Sequence, residues 1–384
     1  MRYCGNCGRQ ISDDATFCGY CGAPAPQSSD NSPKGKSEKA EGGGSRSPIV
    51  GGISDYVGSK GSVQLNWKVL FADVFKRHTR EEAEDIFICG TTRTTPPLNE
   101  ISDTWPKPWL YSRVFLCFLV TYVLLYVCSV TFNNANAYPG LIVIGAFAVP
   151  FTTLVLFLEM NVFRNISVYN VMKFFLIGGG ASLVVTLFLF SLDIVDTDPS
   201  STWGAMMVGV TEELGKLVVV YLLIKSLPSC DHLLCALLVG ACVGAGFAAF
   251  ESAGYAMRLM LSMVSYFSAY GVSIPAEQMM DSVTNIIYLR GLLAPGGHVA
   301  WAAISGAALI LAKGKGRLST SVFSCGRFWK IFLIPVVLHG LWDAPFMSEG
   351  YVKYVILVVL VWVFVMVLFN MGLDEVKDIK RKYT

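Results

Sequence analysis

Eight apolar runs of about 20 residues occupy the chain from residue 110 to residue 371, and four of them carry ionisable side chains that a bilayer interior disfavours. The runs fall near 110–131, 138–158, 172–191, 203–224, 233–257, 297–312, 328–346 and 351–371. At 1.5 Å per residue, about 20 residues of helix cross a hydrocarbon core of roughly 30 Å. The expected fold class is therefore an all-α polytopic membrane protein with about eight transmembrane helices embedded in a lipid bilayer. Hydrophobic residues make up 53% of the chain and charged residues 15%, and the mean hydropathy is +0.52, which is apolar-rich and charge-poor for a water-soluble domain. A formal net charge of +2 gives no basic footprint, and no nucleic-acid partner is expected.

Lys and Arg accumulate in cytoplasmic loops. Here they gather in alternate loops: Arg164 and Lys173, then Lys225, then Lys313, Lys315, Arg317, Arg327 and Lys330, then Lys377, Lys380, Arg381 and Lys382 in a basic tail, 373–384. The intervening loops are poor in base; one holds Asp193, Asp196 and Asp198, and a long one after the fifth run holds only Arg258 and Arg290. Both termini are thus expected in the cytoplasm. The chain opens on cysteines and polar residues instead of a basic then apolar leader, so no cleavable signal is expected.

Cys4, Cys7, Cys18 and Cys21 form two Cys-x2-Cys knuckles, each followed by glycine. That spacing closes a four-sulfur shell around one structural Zn²⁺, and a closed shell has no open position for catalysis. A zinc ribbon over 1–24 follows, and it is a candidate docking module for a cytoplasmic protein partner. The other seven cysteines are scattered and are expected as small core residues. Residues 25–60, rich in Gly, Ser, Pro and charge, are expected to be a disordered linker. In 61–108 apolar periodicity returns: Trp67, Leu70, Phe71, Val74 and Phe75 share one helical face and Ala83, Ile86 and Phe87 another, a juxtamembrane helical pair.

The ionisable groups come in short patterns: Glu212-Glu213-x-x-Lys216, Phe247-x-x-x-Glu251, His298, and His339-x-x-x-Asp343. Each costs about 2.5 to 3.5 kcal/mol at mid-bilayer on insertion scales. Counting from the helix ends at 1.5 Å per residue places Glu212 and Glu213 about 14 Å deep, Glu251 and His339 about 10 Å deep and Asp343 about 5 Å deep, with His298 in a first turn. All are measured from the same, extracytoplasmic, surface. Residues three or four apart share a helix face, so Lys216 reaches both glutamates, and His339 and Asp343 point one way. Gly240, Gly244, Ala248, Ser252 and Ala256 form a small-residue seam that would draw neighbouring helices against Glu251. In the long loop, Leu259, Met260, Met263, Val264 and Phe267 make an amphipathic run positioned to gate access.

A carboxylate in a low-dielectric cavity can take a proton from water, and a nearby imidazole can hold the oxyanion formed when that water attacks a carbonyl. The same Glu/Glu/His/His/Asp set can instead hold a divalent metal that activates the water, although no His-Glu-x-x-His helix is present. Both routes stay open here. So do two readings of other classes, a transporter or proton relay and a signalling scaffold reporting through the ribbon; the chain shows no internal repeat of the transporter kind.

Glu212-Glu213-Leu-Gly-Lys216, Phe247-Ala-Ala-Phe-Glu251, His298 and His339-Gly-Leu-Trp-Asp343, in this order, resemble the motifs of the PrsW family of intramembrane proteases. That family is similar to the CAAX prenyl endopeptidases and Abi proteins, in which the second motif usually ends in His. The resemblance covers roughly residues 110–371, within a protease domain read as 109–372. It implies a protease that cuts a membrane-anchored substrate, such as an anti-sigma factor, near its extracytoplasmic side. It also implies that Glu212, Glu213, Lys216, Glu251, His298, His339 and Asp343 form the site. The ribbon and the 61–108 segment lie outside what the resemblance explains.

Overall fold

The computed structural model describes residues 2–3, 10–11, 47–59, 65, 67–91, 93–132, 134–273, 276–346 and 350–382. Strands Arg2–Tyr3 and Gln10–Ile11 pair antiparallel; Cys4, Cys7, Cys18 and Cys21 lie outside the described residues. The rest is helical: α1 (Pro48–Val57), α2 (Arg80–Ile88), α3 (Leu110–Thr131), α4 (Tyr138–Met160), α5 (Val168–Lys173), α6 (Gly179–Ser191), α7 (Thr202–Ser226), α8 (Leu233–Ala269), α9 (Ala276–Leu293), α10 (His298–Lys313), α11 (Gly326–Asp343) and α12 (Val352–Lys380). A π-helical turn, Phe174–Gly178, joins α5 to α6.

Among the described residues, six helical stretches are long and apolar enough to cross a membrane: Leu110–Thr131, Ala135–Met160, Val168–Ser191, Leu233–Ala269, Glu277–Lys313 and Val352–Lys380. The two further runs of the eight-run count are α7 and α11. Their charges set them apart: Glu212, Glu213, Lys216 and Lys225 on one, Arg327, Lys330 and Asp343 on the other. Both helices form nonetheless and pack on each other and on α10, with Glu213 of α7 meeting His339 of α11.

Helix α8 is the axis. It is buried on nearly every side from Leu233 to Ala249 and packs most closely on α10, then on α4 and α6. The small-residue seam explains the contact with α10. A Cβ on Gly244 would fall on the carbonyl oxygen of His298, so only glycine lets the two backbones meet there. Helix α3 stands at the edge and exposes Leu116, Val120, Val123, Leu124 and Val127, an apolar face suited to lipid.

Three expectations need correction. The stretch read as a linker to residue 60 contains α1, which starts on Pro48 and buries Ile53 and Val57 against Val363 and Val367 of α12. The long loop after the fifth run is helical. Its amphipathic run continues α8 to Ala269, and α9 returns antiparallel, packing Met279, Val283 and Ile287 against Ile142, Ala146 and Ala256. Of the scattered cysteines, Cys230 and Cys235 are disulfide-bonded, with Cα atoms 5.4 Å apart.

The 67–109 segment forms one α-helix and one short 3₁₀ helix, Trp67–Phe71, so Val74 and Phe75 fall in a turn. It is fastened to the start of α3: His78 stacks on Trp109 at 3.8 Å, and Arg113 donates to the carbonyl of Lys76 at 3.0 Å. Glu159 at the end of α4 takes the N–H groups of Trp109, Leu110 and Tyr111 at 2.8–2.9 Å. A carboxylate thereby satisfies donors that the first turn of a helix leaves free.

Candidate active site

Ser201 accepts the N–H of Gly204 at 2.9 Å and starts α7; Glu212, Glu213 and Lys216 then follow two to four turns inside. Helix α10 begins on His298 itself, after a 3₁₀ turn that Trp362 pins by donating Nε1–H to the carbonyl of Pro295 at 2.9 Å. Helix α11 ends on Asp343, and its last carbonyls are held by Lys353 of α12, which donates to Trp342 at 2.9 Å and Ala344 at 2.7 Å. Helices α7 and α11 meet backbone to backbone, a Cβ on Gly209 falling 2.8 Å from the amide nitrogen of Gly340, next to His339.

All seven predicted residues converge. Lys216 Nζ lies 2.6 Å from Glu213 Oε1, 2.8 Å from His298 Nδ1 and 3.8 Å from Glu212 Oε2. His339 places Nδ1 2.9 Å from Glu213 Oε1, and Nε2 3.3 Å from Asp343 Oδ2 and 3.6 Å from Glu212 Oε2. His298 places Nε2 3.0 Å from Glu251 Oε2 and Nδ1 3.9 Å from Glu212 Oε2. The two imidazoles stand 5.1 Å apart between centroids. Trp301 stacks on His339 at 4.4 Å, and Phe247 lies under the Lys216 ammonium at 4.5 Å, which accounts for the aromatic in the second motif.

These groups surround a cavity of about 830 Å³ lined by Glu212, Glu251, His298, His339 and Asp343. Glu213 and Lys216 are fully buried behind it, whereas Asp343 is 30% exposed at its rim. Sequence reading missed Arg290, which it left in a loop. Arg290 lines the cavity and is ion-paired with Glu251. An arginine in a loop otherwise poor in base was the available sign, but nothing local tied it to Glu251.

Glu212, His298 and His339 offer donor atoms within 4.8 Å of one another. Ligand bonds of 2.0–2.1 Å put tetrahedral donors roughly 3.3 Å apart, near the 3.6 and 3.9 Å from Glu212 Oε2 to the two imidazoles. That oxygen is buried without a hydrogen-bond partner. Each imidazole also meets a glutamate at its far nitrogen, Glu213 for His339 and Glu251 for His298, the arrangement that orients metal-binding histidines. The donor set fits a divalent ion once Lys216 Nζ, which lies 2.8 Å from His298 Nδ1, turns away from that nitrogen.

Residues 167–369 match the model of the PrsW family intramembrane metalloprotease, over more than half of the chain, and residues 3–25 match a zinc-ribbon domain. No curated protein and no solved structure matches the chain. On that match, which embraces all four polar motifs and the helices that bring them together, this membrane protein is a hydrolase belonging to the PrsW family of intramembrane metalloproteases.

Proposed function

We propose that the cavity hydrolyses a peptide bond of a membrane-anchored protein, a regulator such as an anti-sigma factor, close to the extracytoplasmic surface. The single observation that carries this reading is the meeting of acids and imidazoles from α7, α8, α10 and α11 around one cavity. The loop charges support an orientation with both termini cytoplasmic. Residues 109–372 are then the protease domain, with the ribbon (1–24) and the tail (373–384) on the cytoplasmic side, where the ribbon can take a structural Zn²⁺ and meet a protein partner.

Glu212, His298 and His339 would hold a divalent ion, which supplies Lewis-acid polarisation of a carbonyl and of water. Glu213 accepts the Nδ1–H of His339 and leaves Nε2 facing the cavity. Lys216 keeps Glu213 as a fixed counter-ion from behind. Asp343 Oδ2, at the rim, takes the proton of the attacking water and returns it to the departing amine. A metal-free route is favoured by one contact: Lys216 Nζ already lies 2.8 Å from His298 Nδ1. On that route the unpartnered Glu212 Oε2 is the base.

The experiment is cleavage of a reporter with one apolar transmembrane segment, by the full chain and by a Glu212→Gln/Glu213→Gln variant in the same membranes. The wild type cuts the segment flanking the bilayer, and the variant does not. Equal cutting by both would refute the proposal.

A further inference from the structure

We infer that Arg290, on α9, is a positioning residue of this centre: it clamps Glu251, and Glu251 in turn orients His298. The inference rests on the hydrolytic reading above. Arg290 Nη2 pairs with Glu251 Oε2, the same oxygen that meets His298 Nε2 at 3.0 Å. Arg290 Nε donates to Ser252 Oγ at 2.9 Å, and the guanidinium carbon lies 4.4 Å from the centroid of the Tyr255 ring. Three anchors on α8, at positions 251, 252 and 255, thus fix one side chain from α9.

The consequence reaches His298 through hydrogen-bond polarity. Lysine and arginine donate and never accept. With Lys216 Nζ at 2.8 Å, His298 Nδ1 is the acceptor, so in the neutral ring Nε2 carries the hydrogen and donates it to Glu251. The tautomer and ring angle of His298 are therefore set from two ends, by Lys216 directly and by Arg290 through Glu251. A guanidinium fork matched to two acceptors is not reproduced by an ammonium. Without Arg290, Glu251 keeps only His298 and can rotate, and a misplacement of about 1 Å at a reacting centre costs about 100-fold in rate. Helix α9 does not need Arg290 to stay docked, since Met279, Val283 and Ile287 hold it against α4 and α8.

The test measures kcat and KM on the single-span reporter for the wild type, Arg290→Ala, Arg290→Lys and Ser252→Ala in detergent, with and without added guanidinium chloride. Arg290→Ala should lose about 100-fold in kcat with KM nearly unchanged, and guanidinium should restore about tenfold of that loss. Arg290→Lys should stay well below wild type, and guanidinium should not raise the wild-type rate. An unchanged kcat in Arg290→Ala, or a loss that guanidinium does not relieve, overturns the assignment. Should Arg290→Ala fail to fold, Ser252→Ala decides: a several-fold fall in kcat at constant KM supports it, and no fall overturns it. A wild type that cuts nothing sinks the hydrolytic reading and this one together; a wild type that cuts no faster than Arg290→Ala sinks this one alone.

Discussion

Replacing Glu213 by glutamine removes one charge from a pair in which neither side chain touches solvent. Lys216 and Glu213 are both 0% exposed, with Nζ and Oε1 2.6 Å apart. Breaking such a pair by neutralising one member costs about 3 to 5 kcal/mol, because the other charge stays buried without compensation. The geometry sets the loss at the lower end. Glu212 Oε2 remains 3.8 Å from the ammonium, and by Coulomb's law its attraction is about two-thirds of that at 2.6 Å. The amide oxygen of glutamine can still accept from Lys216 and from His339 Nδ1. Glu213→Gln should therefore destabilise by about 3 kcal/mol. Adding Lys216→Met removes the ammonium left without its glutamate and should recover part of that loss, not all of it, because Glu212 and His298 Nδ1 lose their contacts with Nζ. Unfolding in detergent micelles titrated with dodecyl sulfate, followed by tryptophan fluorescence, measures both. A single variant costing less than about 1 kcal/mol, or a double variant less stable than the single, would refute the buried pair.

Gly244→Val places a Cβ on the carbonyl of His298 and should push α10 off α8, lowering reporter cleavage by about 100-fold or more in a chain that still inserts. Val57→Asp buries a charge between α1 and α12; it should release α1 to limited proteolysis near residue 58 while reporter cleavage stays within about twofold of wild type. Chelation of divalent ions should abolish cleavage on the metal route, and Zn²⁺ should restore it. Retained cleavage in full chelation would favour Glu212 as the base.

What the sequence disclosed follows from the price of burying polar groups in lipid. Glu212, Glu213, Lys216, Glu251, His298, His339 and Asp343 stood out because each is costly where it lies, and the structure gathers all seven. Spacing along single helices gave Lys216 with Glu213 and His339 with Asp343. Arg290 stayed hidden because its partner Glu251 lies 39 residues earlier on another helix, and because the stretch that carries it reads as part of a long loop. Helix α1 was masked by composition: Gly51, Gly52 and Ser54 look like linker, yet Ile53 and Val57 recur on one face and find α12. Glu159 also escaped notice, since a lone carboxylate at the end of an apolar run gives no hint that it caps the start of α3.

The metal route depends on Glu212, His298 and His339 acting as one ion-binding set, and metal analysis of the purified full chain tests this most directly. Wild type should carry about two ions per chain, one in the ribbon and one in the bundle. His298→Ala/His339→Ala should carry about one, and Cys4→Ser/Cys7→Ser should lose the other while keeping cleavage. A wild type whose ion content is unchanged by loss of both histidines would contradict the set.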